Sequence, residues 1–233
     1  MINDQPPLSS ARTVRSFVIR GGRITTAQQR ALGDLWPQFG IDYSAAPLDL
    51  PALFGNTQPC TVEIGFGNGD HLLVRAQREP QRNFLGIEVH RPGVGRVLLN
   101  LKRAQLRNVR VICHDAVEVL RDQLKDGSID ELQILFPDPW HKKRHHKRRL
   151  IDTDFVALAA SRLRPAGLLG LATDWEPYAQ HMLAVLSACP TLENAVTEGG
   201  FAPRPETRIV TRFENRGVLR GHVVHDLLWR RRS

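Results

Sequence analysis

The chain is poor in cysteine: Cys60, Cys113 and Cys189 are the only three in 233 residues. Their number is odd, they stand far apart among apolar neighbours, and none forms a Cys-x-x-Cys pair. That excludes a disulfide framework and leaves buried thiols in a reducing compartment as the expectation. No stretch approaches the roughly 18 consecutive apolar residues of a membrane helix. The segment Met1 to Ser16 also lacks the basic-then-apolar order of a secretory leader. A cytoplasmic protein without a membrane partner is therefore expected. No internal repeat and no low-complexity tract interrupts the chain. What remains, 42% apolar and 24% charged residues, suits one full-sized globular domain with a short appendage.

Acidic residues are missing from one long interval. None lies between Asp138 and Asp152, while His141-Lys-Lys-Arg-His-His-Lys-Arg-Arg149 carries six Lys and Arg; without those six the formal charge of +8 would fall to +2. Residues 1–35 add Arg12, Arg15, Arg20, Arg23 and Arg30 against Asp4 and Asp34, and the chain ends Trp229-Arg-Arg-Arg-Ser233. Both ends thus read as sticky to anions. A basic run can be a solvated face, a nuclear address or a polyanion contact. Position favours the last, because the run follows Phe136-Pro-Asp-Pro-Trp140 at the end of an apolar strand, where open α/β sheets place their ligands. A metal held by His141 and His145 is disfavoured, since the neighbouring cations would repel it.

From residue 60 onward, apolar runs of strand length alternate with stretches of helical period, the pattern of a doubly wound parallel α/β sheet. Strands are expected at 61–66, 83–88, 109–114, 129–136 and 167–172, with a closing strand within 222–229. Helices are expected at 70–78, 116–124 and 152–163, the last capped by Asp152 or Thr153. Another helix carries Val94, Val97, Leu98 and Leu101 on one face, and a further one holds Tyr178, Met182, Val185 and Leu186.

The first turn of that sheet reads Glu63-Ile-Gly65-Phe-Gly67-Asn-Gly69-Asp70. Glycine lets backbone N–H groups approach a ligand because no Cβ intervenes. Asp70 stands where a dinucleotide fingerprint needs its third glycine, and the triplet by itself also fits an ordinary tight turn. Glu88 ends the second strand, where a carboxylate can accept both hydroxyls of a ribose. Asp115 ends the third and can accept from the exocyclic amine of an adenine. Each also reads as a helix cap, Asp115 more naturally so. The turn has Glu63 and Asp70 but no Lys or Arg before Arg75, which suits a pyrophosphate poorly. Adenosine joined to a cationic group, above all S-adenosylmethionine, fits better than a dinucleotide.

These residues give the chain a resemblance to the bacterial tRNA (guanine-N7)-methyltransferases, class I enzymes that use S-adenosylmethionine. The resemblance spans nearly the whole chain. It rests on Arg15-Ser-Phe17, Glu63 to Gly69, Gly86-Ile-Glu88, Phe136 to Arg149, Thr173-Asp-Trp175, and Thr211-Arg-Phe-Glu214 followed by Arg216-Gly217. The long basic motif is highly specific. The glycine turn is shared by all class I enzymes, and Asn68 departs from the apolar residue usual there. The resemblance implies a Rossmann-like, seven-stranded, mostly parallel sheet over residues 36–233, preceded by a partly flexible basic arm over 1–35. It implies cofactor contacts at Glu63, Gly65, Gly67, Gly69, Glu88, Asp115, Ala116 and Asp138, with Asp138 catalytic. Target contacts are implied at Lys142, Asp174, Thr211, Arg212, Phe213 and Glu214, and RNA contacts at Arg144, His145, His146, Lys147, Arg148 and Arg149. The implied activity is methylation of a variable-loop guanosine of tRNA to m7G46, without a metal or an obligate protein partner.

The residues alone leave other readings open. Asp174 also fits a helix cap, Glu214 a surface acid, and Trp140 either a base-stacking platform or a cover for the sheet edge. A tRNA binder without turnover, and a methyltransferase of small molecules or proteins with an incidental basic loop, are the competing functions.

Overall fold

The computed structural model describes residues 14–18, 23–210, 214–215 and 221–233. Its elements in chain order are α1 (Thr26–Asp34), α2 (Trp36–Phe39), β1 (Gly40–Ile41), α3 (Leu50–Phe54), β2 (Cys60–Ile64), α4 (Asp70–Arg78), β3 (Asn83–Ile87), α5 (Arg91–Arg103) and β4 (Val109–Ile112). A short α6 (Ala116–Glu118) continues as a π-helical turn (Val119–Gln123), followed by β5 (Ile129–Leu135) and a 3-10 helix (Lys143–Arg148). Then come α7 (Thr153–Arg162), β6 (Leu163–Thr173), α8 (Glu176–Ser187), β7 (Leu192–Asn194) and β8 (His225–Arg231). The strands form one mixed sheet in the order β1-β4-β3-β2-β5-β6-β8-β7, parallel from β1 to β6, with β8 antiparallel to both β6 and β7. Strand order reverses between β2 and β5, so a crevice opens at their carboxyl ends, as in other doubly wound sheets.

The apolar pattern accounts for this arrangement. Every residue of β2 and of β3 is buried, as strands covered by helices on both faces require. Val94, Val97, Leu98 and Leu101 of α5 are fully buried in the core that α1, α4 and α5 build on one face. Phe155, Val156, Tyr178 and Met182 of α7 and α8 anchor the larger core on the other. Asp152 caps α7 by accepting from the Phe155 N–H at 2.8 Å. None of the described helices is long and apolar enough to cross a membrane.

Four departures from the sequence reading have physical causes. The sheet has eight strands rather than seven, because the two-residue β1, too short to carry any period, pairs with β4 at the edge. Residues 26–34, inside the expected arm, form α1: a Thr25/Gln28 capping box starts it, and Ala31 and Leu35 are buried in the core. The helix expected over 116–124 is α-helical for only three residues before the π turn. The regular ladder of β6 begins at Leu168; Leu163 pairs with Ile129, and the residues between loop out with Ala166 at φ 61°.

Candidate active site

The glycine turn lies between β2 and α4. Gly65, Gly67 and Gly69 all have positive φ, of 71°, 56° and 77°. An added Cβ at Gly65 or Gly67 would meet nothing within 4 Å, so these two are required by backbone conformation and leave open space beside them. Gly67 is in turn backed by Gly93, where a Cβ would fall 2.3 Å from the Gly67 carbonyl oxygen.

Glu88, at the tip of β3, is buried and organises this turn. Its Oε2 accepts from Gly67 N–H at 2.8 Å, and Oε1 accepts from Val89 and His90 N–H at 2.7 and 2.9 Å. Each carboxylate oxygen has two lone pairs, so Glu88 can still accept from a ribose. Asp115 is both cap and candidate ligand: Oδ1 accepts from Val117 N–H at 2.9 Å, while Oδ2 has no hydrogen bond among the described residues. Ala116 is buried beside it. Burial pushes the nearby Cys113 thiol up to about 11, with Arg91 opposing and Glu88 adding to the shift. Glu63 is buried and shares a 2.8 Å hydrogen bond between its Oε2 and Nδ1 of His71, a partner that no local pattern in the sequence revealed. Below them Arg75 is bidentate to Glu131, at 2.8 and 3.0 Å, and to Glu79. Thus α4 meets the sheet through ion pairs as well as apolar contact.

Across the crevice, β5 runs into Phe136-Pro-Asp-Pro-Trp140. Phe136 and Trp140 have φ of 54° and 46°. Bulky residues in this region cost of order 1–3 kcal/mol each and persist only where their surroundings hold them. Phe136 N–H donates to Ala172 O at 2.8 Å, and the Arg208 guanidinium lies over its ring. Trp140 Nε1–H donates to Ser16 O at 3.0 Å, and Arg148 covers its face at 5.1 Å. Trp140 is therefore engaged in holding the loop, with one face of its ring under Arg148. Asp138, between the two prolines, is exposed and has no hydrogen-bond partner among the described residues.

Two acids flank this loop on the β6–β8 side. Asp174, just past β6, shares a 2.9 Å hydrogen bond between Oδ2 and His222 Nδ1. Glu214 is 5% exposed, and both its oxygens accept from Arg208, at 2.6 and 3.0 Å; Arg208 also pairs with Asp226 of β8. Burial raises Asp226 above the ordinary carboxylate range, more than Arg208 lowers it. Glu214 is thus tied into a buried triad. Thr211, Arg212 and Phe213, the remaining target candidates, lie outside the described residues.

The basic run becomes the 3-10 helix. Lys142, Lys143, Arg144, His146 and Lys147 are exposed, His145 and Arg148 half-buried. No carboxylate among the described residues pairs with any cation from Lys142 to Arg148. His145 is held below its ordinary range by desolvation and by Arg144, Arg148, Lys142 and Lys147. Arg149 differs from the RNA contact expected of it. It is 4% exposed, donates to Pro139 O at 3.0 Å and stacks on Tyr178 at 4.7 Å, so it fastens the loop to the core.

Together these elements place open glycine backbone and buried acids on one side of a crevice, and on the other an exposed carboxylate followed by cations that no carboxylate among the described residues neutralises. Comparison with known proteins gives this arrangement a relationship. Residues 57–227 match the family described as "Putative methyltransferase". The tRNA (guanine-N(7)-)-methyltransferase of Leifsonia xyli subsp. xyli (strain CTCB07) is 57% identical over 93% of this chain and 95% of its own length. The protein of that name from Serratia proteamaculans (strain 568) is 50% identical over 95% and 93%. Among solved structures, the 16S rRNA methyltransferase KamB aligns with a TM-score of 0.55 over 94% of this chain and 99% of its own, at 15% identity, a likeness of fold alone. The fold is that of the class I methyltransferases, and the chain belongs to the tRNA (guanine-N(7)-)-methyltransferase family.

Proposed function

We propose that the enzyme transfers the methyl group of S-adenosylmethionine to N7 of the variable-loop guanosine of tRNA, giving m7G46 and S-adenosylhomocysteine. The observation that carries this reading is the run of cations beginning four residues after Asp138, neither the run nor Asp138 having an ion-pair partner among the described residues, in a chain so similar to named tRNA (guanine-N(7)-)-methyltransferases. The residues of the crevice fit the donor. Gly65 and Gly67 leave open space beside the backbone, Glu88 suits the ribose, Asp115 Oδ2 suits the adenine amine, and the acids Glu63 and Asp138 suit a cationic methionine portion.

When bound, the donor supplies a sulfonium methyl; the S–C bond breaks as the bond to N7 forms, and sulfur keeps the electron pair. Guanine N7 has an in-plane lone pair and no proton, so no side chain has to act as a base. Positioning and electrostatics must do the catalysis. As the purine gains positive charge its N1–H becomes more acidic, so a carboxylate accepting from N1–H and the 2-amino group binds the transition state better than the ground state. Asp174 suits that role better than Glu214, whose oxygens Arg208 already engages. Asp138 holds the donor at the reacting methyl, and Lys142 donates to O6. Phosphate contacts come from Arg144, Lys147 and Arg148, with His145 and His146 between them. Such contacts set position, and recognition rests on RNA shape.

We place the enzyme in the cytoplasm, with no obligate protein partner. Purified protein incubated with methyl-labelled S-adenosylmethionine and unmodified tRNA transcript should yield labelled 7-methylguanosine, lost when guanosine 46 is replaced. Label on another base, or none, overturns the proposal.

A further inference from the structure

Residues 195–224 separate β7 from β8, and of these 195–210, 214–215 and 221–224 are described. The described residues of this connection are tied down at several points, among them the Ala202 N–H donating to Asp226 O at 2.8 Å. Near its middle Arg208 joins Glu214 to Asp226 at the start of β8. At its far end His222 meets Asp174. The β6–β8 register pairs Thr173 with His225, so Asp174 and His222 lie just beyond the last rung of the ladder, where the sheet opens onto the crevice. Their side chains are 18% and 45% exposed, and no other hydrogen bond to Asp174 is made by the described residues.

A guanine edge offers two donors side by side, N1–H and the 2-amino group. One carboxylate can accept both only if its plane is held toward them, and a lone Asp at a strand tip is free to turn about its side-chain torsions. We propose that His222 is a positioning residue for Asp174. Its Nδ1–H donates to Oδ2, which selects the Nδ1-protonated tautomer and fixes the carboxylate plane, leaving the remaining lone pairs for the target base. The same hydrogen bond ties the end of the target-side connection to β6. This role rests on the target reading proposed above.

The test uses the hydrogen-bond geometry of substitutes. Asn carries an amide nitrogen as many bonds from Cα as Nδ1 of histidine, whereas the Gln nitrogen is one bond further out. His222→Ala should lower kcat/KM for tRNA by about tenfold to a hundredfold. The Kd for S-adenosylmethionine, measured by calorimetry, should stay within about twofold. His222→Asn should recover most of the loss and His222→Gln should not. The Asp174→Ala/His222→Ala double variant should be no worse than Asp174→Ala, because the histidine acts through the aspartate. Additive losses, equal impairment of the Asn and Ala variants, or a parallel loss of donor affinity would each overturn the role. If His222→Ala fails to fold, the Asn-against-Gln contrast decides the matter. A wild-type enzyme that leaves guanine N7 unmethylated defeats the function, and this role with it; methylation with an additive cycle defeats the role of His222 alone.

Discussion

The segment from Lys142 to Arg149 and the stretch Trp229 to Arg232 look alike on paper, each dense in arginine or lysine without a neighbouring acid, yet the fold uses them in opposite ways. Arg231 donates to Ser161 O at 3.1 Å and to Leu163 O, covering carbonyls at the end of α7. Arg232 donates to Leu192 O at 3.2 Å and pairs with Glu193. In the loop, by contrast, Arg149 turns into the core and Arg148 lies over Trp140, and the cations before Arg149 meet no carboxylate among the described residues. Charge density alone therefore does not mark a nucleic-acid surface. A cation already spent on backbone carbonyls, as Arg231 is, has little left for a phosphate.

The widest separation should come from splitting chemistry from grip. Asp138→Ala should lower kcat by about a thousandfold, as loss of a group acting on the developing charge does, with tRNA affinity unchanged in a filter-binding assay. Activity within a few-fold of wild type would refute the role of Asp138. Replacing Lys142, Lys143, Arg144 and Lys147 together by Gln should weaken tRNA binding about a hundredfold at moderate salt and flatten the log–log salt slope by about 3. The melting temperature should hardly move; a large fall would show that these cations serve the fold after all. Arg231→Ala should do the reverse, costing about 1–2 kcal/mol in denaturant unfolding with the salt slope intact, because it strips hydrogen bonds from partly buried carbonyls. A changed slope would erase the contrast between the two segments.

A buried arginine supplies the last and subtlest comparison. Burial pushes Glu131 up, but the hydrogen bonds and charge of Arg75 outweigh it, and the carboxyl lies below its ordinary range. For a depressed carboxylate, the stabilisation is complete above the ordinary value and is lost as pH falls through the lowered one. Thermal unfolding from pH 7 down to acid should therefore show a steeper loss for wild type than for Glu131→Gln. Parallel curves would deny the ion pair its part in acid stability.

Much of the fold was legible because it rests on period. The apolar runs at 83–88 and 129–136 and the α5 stripe follow local rules, and both β3 and β5 end within one residue of expectation. What escaped was set by partners distant in sequence. Residues 26–34 read as a basic arm because their apolar face is thin; the Thr25/Gln28 capping box was a local signal of the helix, and packing of Ala31 beside α5 brings it into the core. Arg149 read as one more phosphate contact, since nothing nearby announces that Tyr178 lies beneath it. The site divides in the same way. Glycines and strand-tip acids were visible at fixed offsets, whereas the partnerships of His71 with Glu63, Arg208 with Asp226 and His222 with Asp174 emerge only in the folded chain.

The reversed direction of β8 has a practical consequence. The strand starts at the crevice with His225 and descends beside β6, so Arg231 finishes near Leu163, at the opposite pole of the sheet. A fluorophore or solid support attached at Ser233 would stand well away from the methyl-transfer cleft, which makes that end the natural anchor for single-molecule or surface-based measurements of tRNA docking.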